Sequence, residues 1–134
     1  MNMSKKEYNR YVARLAQKSP LGKDLLRSFL VGGLICVIGQ LILNGFTALD
    51  LSEQDAAAAT SVSLVFLSAV LTGLSVYDDI AKFAGAGTLV PITGFANAVV
   101  SPAIEFKAEG FVTGMAAKMF TVAGPVITFG TLAS

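Results

Sequence analysis

Three long stretches of the sequence contain no charged side chain, and they predict the main elements of the fold. These stretches are residues 28–49, 56–77 and 83–104. The hydrocarbon core of a bilayer is about 30 Å thick, and a helix of about 20 apolar residues crosses it. A fourth apolar segment, residues 111–134, contains one cation, Lys118. The pattern therefore predicts an all-α integral membrane protein with three to four membrane segments.

The N-terminal residues follow a different pattern, with apolar and basic positions on opposite faces of a helix. Residues 5–18 place on one face Tyr8, Tyr11, Val12 and Leu15, and on another Arg10, Arg14 and Lys18. Such a helix lies in the headgroup region of a membrane, although a frayed, solvated tail is the alternative. We therefore divide the chain into a basic amphipathic N-terminal region, residues 1–27, and a membrane domain, residues 28–134.

The third stretch differs from the first two because glycine and proline interrupt it. It reads FAGAGTLVPITGFANAVVSPAI. Pro91 lacks an amide hydrogen and disfavours helix before it, so a second helical piece is expected at residues 95–100, ended by Pro102. Irregular backbone at membrane depth survives only where protein or a water-filled cavity satisfies its hydrogen bonds. We predict a broken or re-entrant element; a glycine-rich span kinked at Pro91 is the alternative, and the sequence does not decide whether the element crosses the bilayer.

Small and polar side chains form stripes on the first two predicted spans. The stripe on the first span consists of Ser28, Gly32, Cys36, Gln40 and Asn44. The stripe on the second consists of Ser61, Ser68, Thr72, Ser75 and Asp79. Small residues let helices approach closely and amides bond across interfaces, so the stripe on the first span is expected to serve helix packing. If the two stripes face each other, they either pack dry or line a narrow wet path, and the sequence leaves both open. A pore-lining role for Gln40 and Asn44 is the alternative.

Composition and charge agree with a membrane protein and give it an orientation. Hydrophobic residues make up 54% of the 134 residues and charged residues 14%, against about 25% charged in a typical soluble domain. Of the ten Lys and Arg residues, those within residues 1–27 are Lys5, Lys6, Arg10, Arg14, Lys18, Lys23 and Arg27. Residues 47–55 carry only acidic charges. The positive-inside rule then places the N-terminus in the cytoplasm and this acidic loop outside.

The same composition excludes several classes of function. The chain has no histidine and a single cysteine, Cys36, so a transition-metal site, a cofactor and a disulfide framework are not expected. No nucleophile–base pair is apparent, and an enzyme is not expected. The basic N-terminal region suits anionic lipid rather than nucleic acid. The first apolar run is too long for the core of a cleaved signal peptide.

Candidate binding chemistry concentrates in the third stretch. Successive backbone amides at 85–87 can form an anion-binding concavity, and the positive end of a half-helix can face an anion near residue 93. The candidate substrate-binding or pore-lining residues of this region are Gly85, Gly87, Pro91, Thr93, Gly94 and Asn97, and Asp78 and Lys118 join them. The alternative for Lys118 is that it snorkels to the interface instead of facing a cavity. Candidate rim charges are Asp79, Lys82, Glu105 and Glu109. The simpler interpretation of the rim charges is solvated loops, and Tyr77 suits an interface anchor.

Four motifs give the chain a resemblance to a known family. They are FLVGGLICVIGQ at 29–40, LTGLSVYD at 71–78, FAGAGTLVPITGFANAV at 83–99 and EFKAEG at 105–110. Together they resemble the membrane subunits of the stage V sporulation protein A family, over about residues 27–130. The matching motif positions are Asp78, Phe83, Gly85, Gly87, Pro91, Thr93, Gly94, Asn97, Glu105 and Glu109. The family tolerates other residues at the position of Asp79, so Asp78 is the stronger candidate of the two. The last segment is expected to be short or truncated at Ser134.

The resemblance implies a location and a function. Members of this family sit in the inner membrane of the spore and move dipicolinic acid, with calcium, in sporulation and germination. A mechanosensitive channel component that works with other subunits of the family is implied, in a homo- or hetero-oligomer. Our first hypothesis is a tension-gated passage for this dianion, with Asp78 and Glu105 attracting its calcium. The alternative is a non-conducting subunit that packs the same membrane complex.

Overall fold

The fold consists of helices only, within the residues that the structure describes. The computed structural model describes residues 4–15 and 20–134. Its helices are α1 (Lys5–Leu15), α2 (Leu21–Thr47), α3 (Glu53–Gly73), α4 (Tyr77–Ala84), α5 (Ala86–Leu89), α6 (Ile92–Glu105) and α7 (Phe111–Ala133), the last beginning with a π-helical stretch, Phe111–Ala116. Three of them, α2, α3 and α7, are long and apolar enough to cross a membrane. The predicted all-α membrane fold is confirmed.

Helix α1 begins with a reciprocal pair of hydrogen bonds between Ser4 and Glu7. The Glu7 amide donates to Ser4 Oγ at 3.3 Å, and the Ser4 amide donates to Glu7 Oε2 at 3.0 Å. This is a capping box, and the hydrogen bonds from Ser4 lower the pKa of the Glu7 carboxyl. The amphipathic helix was predicted over residues 5–18, with basic side chains on one face. Residues 16–18 and the side chains of positions 10 and 14 lie outside the described part. The interfacial position of α1 stays a prediction.

Helices α2 and α3 form an antiparallel pair joined by the acidic loop. Helix α3 starts at an N-cap, where the Asp55 amide donates to Ser52 Oγ at 3.2 Å. The pair is close because Gly39 has no side chain: a Cβ atom there would lie 3.5 Å from Leu64 Cδ1. No residue of α2 is buried within the described chain, so most of this helix is left for lipid or for another subunit.

The third apolar stretch is broken, as predicted, and the helix is interrupted at two positions. Helix α4 ends at Ala84, Gly85 follows with a φ of 54°, and α5 has only four residues. A second break at Val90 and Pro91 precedes α6. The prediction that the next helical piece covers residues 95–100 and stops before Pro102 is wrong. Helix α6 begins at Ile92 and continues through Pro102 to Glu105, because a proline inside an apolar helix removes a single hydrogen bond that neighbouring groups can replace.

The register between α3 and α6 gives the path of this broken stretch. Ser68 Oγ donates to the Thr93 carbonyl at 2.6 Å, and Thr72 Oγ1 lies 2.8 Å from Asn97 Oδ1. Both pairs are separated by 25 residues, so the two helices run in the same direction. A segment that crossed the membrane after α3 would run against α3. Residues 77–105 therefore form a re-entrant hairpin: the end of α4 lies beside the first turns of α2, α5 leads to the tip, and α6 returns to the end of the molecule where α3 stops.

The depth of the re-entrant hairpin follows from the same register. Thr93 is level with Ser68, which precedes the end of α3 at Gly73 by little more than one turn. At about 1.5 Å per residue, the tip at Pro91 lies roughly 10 Å above the end of α3. This is about a third of a 30 Å hydrocarbon core. Helix α7 begins at the same end of the molecule and runs along α6.

Candidate functional site

A cluster of buried hydroxyl groups fixes the tip of the re-entrant hairpin. This hydroxyl cluster consists of Ser68, Tyr77, Thr88 and Thr93, whose exposed fractions are 1%, 3%, 0% and 6%. The Tyr77 hydroxyl donates to the Thr88 carbonyl at 2.9 Å, and its oxygen lies 3.0 Å from Thr93 Oγ1. Because the Tyr77 hydroxyl has one proton, Thr93 is the donor when both bonds are made. Ser68 donates to the Thr93 carbonyl. The cluster joins α3, α4, α5 and α6 at one point.

The hydrogen bonds of the cluster satisfy main-chain groups that the helix breaks leave open. The last carbonyls of a helix have no intrahelical partner, and at membrane depth such groups need one. The Thr88 carbonyl at the end of α5 receives the Tyr77 hydroxyl. The Ala84 carbonyl at the end of α4 receives Ser28 Oγ at 2.8 Å. Side chains from α2 and α4 thus satisfy the interrupted backbone at these two carbonyls. Within the described ranges, every buried side-chain nitrogen or oxygen also has a partner.

Two glycines of the hairpin make contacts that no other residue could make. Gly87 lies against the main chain of α2, and a Cβ atom there would overlap the carbonyl oxygen of Ser28. Gly32 lies opposite, with a built Cβ 3.3 Å from the Gly87 carbonyl oxygen. A Cβ atom at Gly94 would overlap the Thr88 carbonyl oxygen. At these glycines the hairpin packs through main-chain atoms, and such contacts bury little side-chain surface.

The two small-residue stripes do not face each other; each contacts the hairpin. On α2 the contacting members are Ser28 and Gly32, whereas Cys36, Gln40 and Asn44 are exposed. On α3 the contacting members are Ser68 and Thr72. Ser61 is exposed and bonds to its own helix, and Ser75 and Asp79 lie beyond the end of α3. The expectation of helix packing therefore holds at one end of each stripe, with the hairpin as the partner.

Asn97 continues the polar contact between α3 and α6 below the hydroxyl cluster. It is half-buried, and its Oδ1 lies 2.8 Å from Thr72 Oγ1, which is also 2.7 Å from the Ser68 carbonyl. A hydroxyl has one proton, so it donates to one acceptor at a time. With the Asn97 amide turned over, its NH₂ group donates to Thr72 while Thr72 donates to Ser68, and both contacts are satisfied.

Gln40 and Asn44, the other predicted amides, lie on the open face of α2. Gln40 Nε2 donates to Asn44 Oδ1 at 2.9 Å, and both residues are exposed. Their distance along α2 from Ser28 and Gly32 separates them from the re-entrant hairpin. The structure brings them together with each other but not with the remaining predicted residues.

Lys118 also lies apart from the tip of the hairpin. Its ammonium group is 4.0 Å from the centroid of the Phe106 ring, immediately after the end of α6. A cation over an aromatic face is stabilised by about 0.5–2 kcal/mol, depending on solvation. The start of α7 positions Lys118 over the Phe106 ring, since the π-helical turns place Gly114 against the Phe106 carbonyl oxygen. Lys118 is therefore positioned at the end of the molecule where α6 and α3 stop.

The predicted rim charges gather at this same end. Asp78 and Asp79 begin α4, and Glu105 ends α6, and all three are exposed. Lys82 Nζ lies 3.0 Å from Asp79 Oδ1 in an exposed ion pair. Glu109 is exposed in the 3₁₀ turn Lys107–Glu109. Across residues 4–15 and 20–134 these carboxylates do not form a group of three or more that could hold a metal ion.

Sequence reasoning misjudged Tyr77 and did not single out Thr88 or the contact of Ser28. Tyr77 was expected at the interface as an anchor, but it is 3% exposed and bonds to the hairpin tip. In the sequence, an interfacial tyrosine and a buried tyrosine cannot be distinguished when each follows an apolar run. The predicted break in the third stretch could have indicated that Tyr77 is buried, because interrupted backbone at membrane depth requires hydroxyl or amide donors nearby.

Comparison with known proteins assigns the family. The sequence model described as SpoVAC/SpoVAEB sporulation membrane protein matches residues 24–134, a range that contains the re-entrant hairpin, α3, α7 and all but the first three residues of α2. The chain belongs to the SpoVAC/SpoVAEB family. It is 45% identical over 135 residues to Stage V sporulation protein AC of Bacillus subtilis (strain 168), covering 100% of this chain and 90% of that protein. No solved structure gives a significant match to this SpoVAC/SpoVAEB chain.

Proposed function

We propose that this sporulation membrane protein is a channel or transport subunit that passes dipicolinic acid, with calcium, across the inner membrane of the spore and opens under membrane tension. The observation that supports it most is the re-entrant hairpin, a broken element at membrane depth held by a few hydroxyl groups and main-chain contacts. Discontinuous elements of this kind form the substrate sites of many transporters.

The N-terminus faces the cytoplasm in this proposal. Seven of the ten cations lie at or before the first turns of α2, and the other three, Lys82, Lys107 and Lys118, lie on elements at the same end of the molecule. The loop at the opposite end carries Asp50, Glu53 and Asp55 and no cation. The positive-inside rule favours the basic end as the cytoplasmic one, and the return of α6 to that end is what keeps Lys107 there.

Passage of dipicolinate requires donors that lipid does not provide. Moving two carboxylates through hydrocarbon is prohibitive. The first amides of α6, at Ile92 and Thr93, have no intrahelical partner and carry the positive end of the helix dipole. In the described conformation, however, Gly94 lies against the carbonyl oxygens of Thr88 and Leu89, so α5 covers this end of α6. We infer that the described conformation is closed and that α5 leaves α6 on opening.

Tension provides a direct way to separate these elements. The contacts of the hairpin with α2 include Gly32 against Gly87, one hydrogen bond from Ser28, and Arg27, whose guanidinium carbon lies 4.8 Å from the centroid of the Phe83 ring. Contacts between glycines bury little apolar surface, so their separation forfeits little hydrophobic free energy. A lateral stretch that moves α2 outward would therefore release the hairpin before it disrupts the pairing of α3 with α6. The rim carboxylates Asp78 and Glu105 would then meet the calcium that accompanies the dianion.

Association with further subunits completes the proposal. Within the part of the chain that the structure describes, no residue of α2 is buried, and its amides Gln40 and Asn44 are exposed. Amides at membrane depth favour an interface with another helix or with water. Additional copies of this chain, or other stage V sporulation protein A subunits, would cover this face.

Substitution of Asn97 separates the conducting role from a packing role. The purified chain alone is reconstituted in liposomes, and tension-activated currents are recorded by patch clamp. We expect Asn97→Leu to change conductance or opening tension, because it removes the polar contact with Thr72 that holds α6 against α3 while α2 and α5 move away. The matched control is Ala98→Leu, which adds the same side chain at the next, exposed position of α6.

Unchanged currents in Asn97→Leu would favour the non-conducting packing subunit, as would the absence of currents from the purified chain. A change in Asn97→Leu that Ala98→Leu does not share would support the passage.

A further inference from the structure

We propose that an acyl chain of a membrane phospholipid occupies the recess between α2 and α3, with its end against the hydroxyl cluster. The recess has a volume of about 190 Å³. Its walls include Ile35 of α2 and Leu64 and Leu71 of α3, and its floor is the hydroxyl cluster. This inference concerns a lipid-binding site and does not depend on what the protein transports.

The exposure of the lining residues shows which way the recess opens. Leu34, Ile38 and Leu67 are 58%, 39% and 44% exposed and form its rim, whereas the four residues of the hydroxyl cluster are at most 6% exposed. Helices α2 and α3 are both long and apolar enough to cross a membrane. A mouth between them, near the middle of α2, faces the acyl chains of the surrounding lipid.

The chemistry of the lining selects hydrocarbon over water or an anion. The walls are aliphatic, and every hydroxyl of the floor is already paired: Tyr77 with Thr88, Thr93 with Tyr77, Ser68 with Thr93. Thr88 Oγ1 donates to the Gly85 carbonyl at 3.0 Å. A water molecule needs two to four polar partners, and an apolar cavity of about 150 Å³ takes up small apolar molecules instead. The recess thus offers an apolar guest a complete set of contacts and offers a polar guest none.

The size of the recess selects a lipid chain over a helix of another subunit. A helix with its side chains is about 10–12 Å wide, too wide for a volume of about 190 Å³ between α2 and α3. A methylene chain is narrow and flexible, and the bilayer presents it at the rim without any further partner. Because the floor also holds the hairpin tip, a bound chain stabilises the closed arrangement of α4, α5 and α6.

The experiment uses the full purified chain in liposomes that contain phosphatidylcholine with a diazirine at the end of one acyl chain. After illumination, the labelled residues are identified by mass spectrometry. We expect label on Ile35 and Leu71 at least fivefold above Val99, a residue of α6 that is also half-buried but does not line the recess. We further expect Leu71→Phe, which fills the recess, to reduce the label on Ile35 at least fivefold.

The matched control is Val70→Phe, which adds the same ring one position earlier, outside the recess. It should leave the label on Ile35 unchanged, and exposed Leu41 should be labelled equally in all variants. Ile35→Phe, with Leu71 as the reporter, replaces Leu71→Phe if the latter does not fold. Equal label on Ile35 and Val99 in the unmodified chain would overturn the proposal. Label on Ile35 that is unchanged in Leu71→Phe would also overturn it.

Discussion

Gly94→Ala is expected to lower the free energy of unfolding by about 3 kcal/mol, the upper part of the range for overpacking. The added methyl group would overlap the Thr88 carbonyl oxygen and lie 2.6 Å from that of Leu89. Both obstacles are main-chain atoms, so no side-chain rotation can relieve them, and α5 must move away from the start of α6. Gly87→Ala should have a similar effect through the main chain of Ser28. Denaturant unfolding in detergent micelles, followed by circular dichroism, measures the change.

Gly33→Ala and Gly45→Ala are the matched controls. Both glycines lie within α2, and a Cβ atom at either would meet nothing within 4 Å. Alanine is favoured over glycine inside a helix by roughly 0.8–1.0 kcal/mol, so these variants should be as stable as the unmodified chain or more so. If all four variants unfolded at the same denaturant concentration, the description of close main-chain contacts at Gly94 and Gly87 would be wrong.

Tyr77→Phe is expected to destabilise the closed hairpin by about 1–3 kcal/mol, since a buried carbonyl and a buried hydroxyl both lose their partner. The Thr88 carbonyl would have no donor and Thr93 Oγ1 no acceptor from α4. If the hairpin is the gate, the same substitution lowers the tension at which it opens. Liposomes loaded with dipicolinate are diluted into media of decreasing osmolarity, and the released dipicolinate is followed by terbium luminescence.

We expect Tyr77→Phe to release dipicolinate at a smaller osmotic downshift than the unmodified chain. Tyr11→Phe is the control, because it removes the same hydroxyl from a residue that is 55% exposed. If Tyr77→Phe matched Tyr11→Phe in both unfolding and release, the hydroxyl cluster would neither stabilise the hairpin nor control its opening. Lower stability with an unchanged release threshold would keep the cluster as a structural feature and reject it as part of the gate.

The spans and the breaks could be predicted from the sequence because both depend on local composition. Charge-free runs long enough to cross a bilayer are visible without any contact, and Gly85 and Pro91 mark the two positions where the helix stops. Pro102 was misjudged, because whether a proline ends a helix depends on what surrounds it. In α6 the helix continues to Glu105.

The direction of α6 could not be predicted, since it depends on pairs that are 25 residues apart. Ser68 and Thr72 were identified as one stripe, but nothing in their spacing shows whether α2 or α6 lies opposite. The contacts of Ser28 and Gly32 with Ala84 and Gly87 could not be predicted either, because they also join residues far apart in the sequence. Of the predicted site residues, Thr93, Gly94 and Asn97 share one region because they belong to one helix, whereas Gln40, Asn44 and Lys118 lie elsewhere. Their roles stay predictions.

The central claim is that residues 77–105 enter the membrane and return to the side from which they came. Its most direct test is sided cysteine labelling in a Cys36→Ser background, since Cys36 is the only cysteine of the chain. Single cysteines are introduced as Lys23→Cys before α2, Glu53→Cys in the acidic loop and Glu105→Cys at the end of α6. A membrane-impermeant maleimide is applied to sealed vesicles from each side. We predict that Glu105→Cys is labelled from the same side as Lys23→Cys; labelling from the side of Glu53→Cys would make the segment a complete crossing and contradict the account.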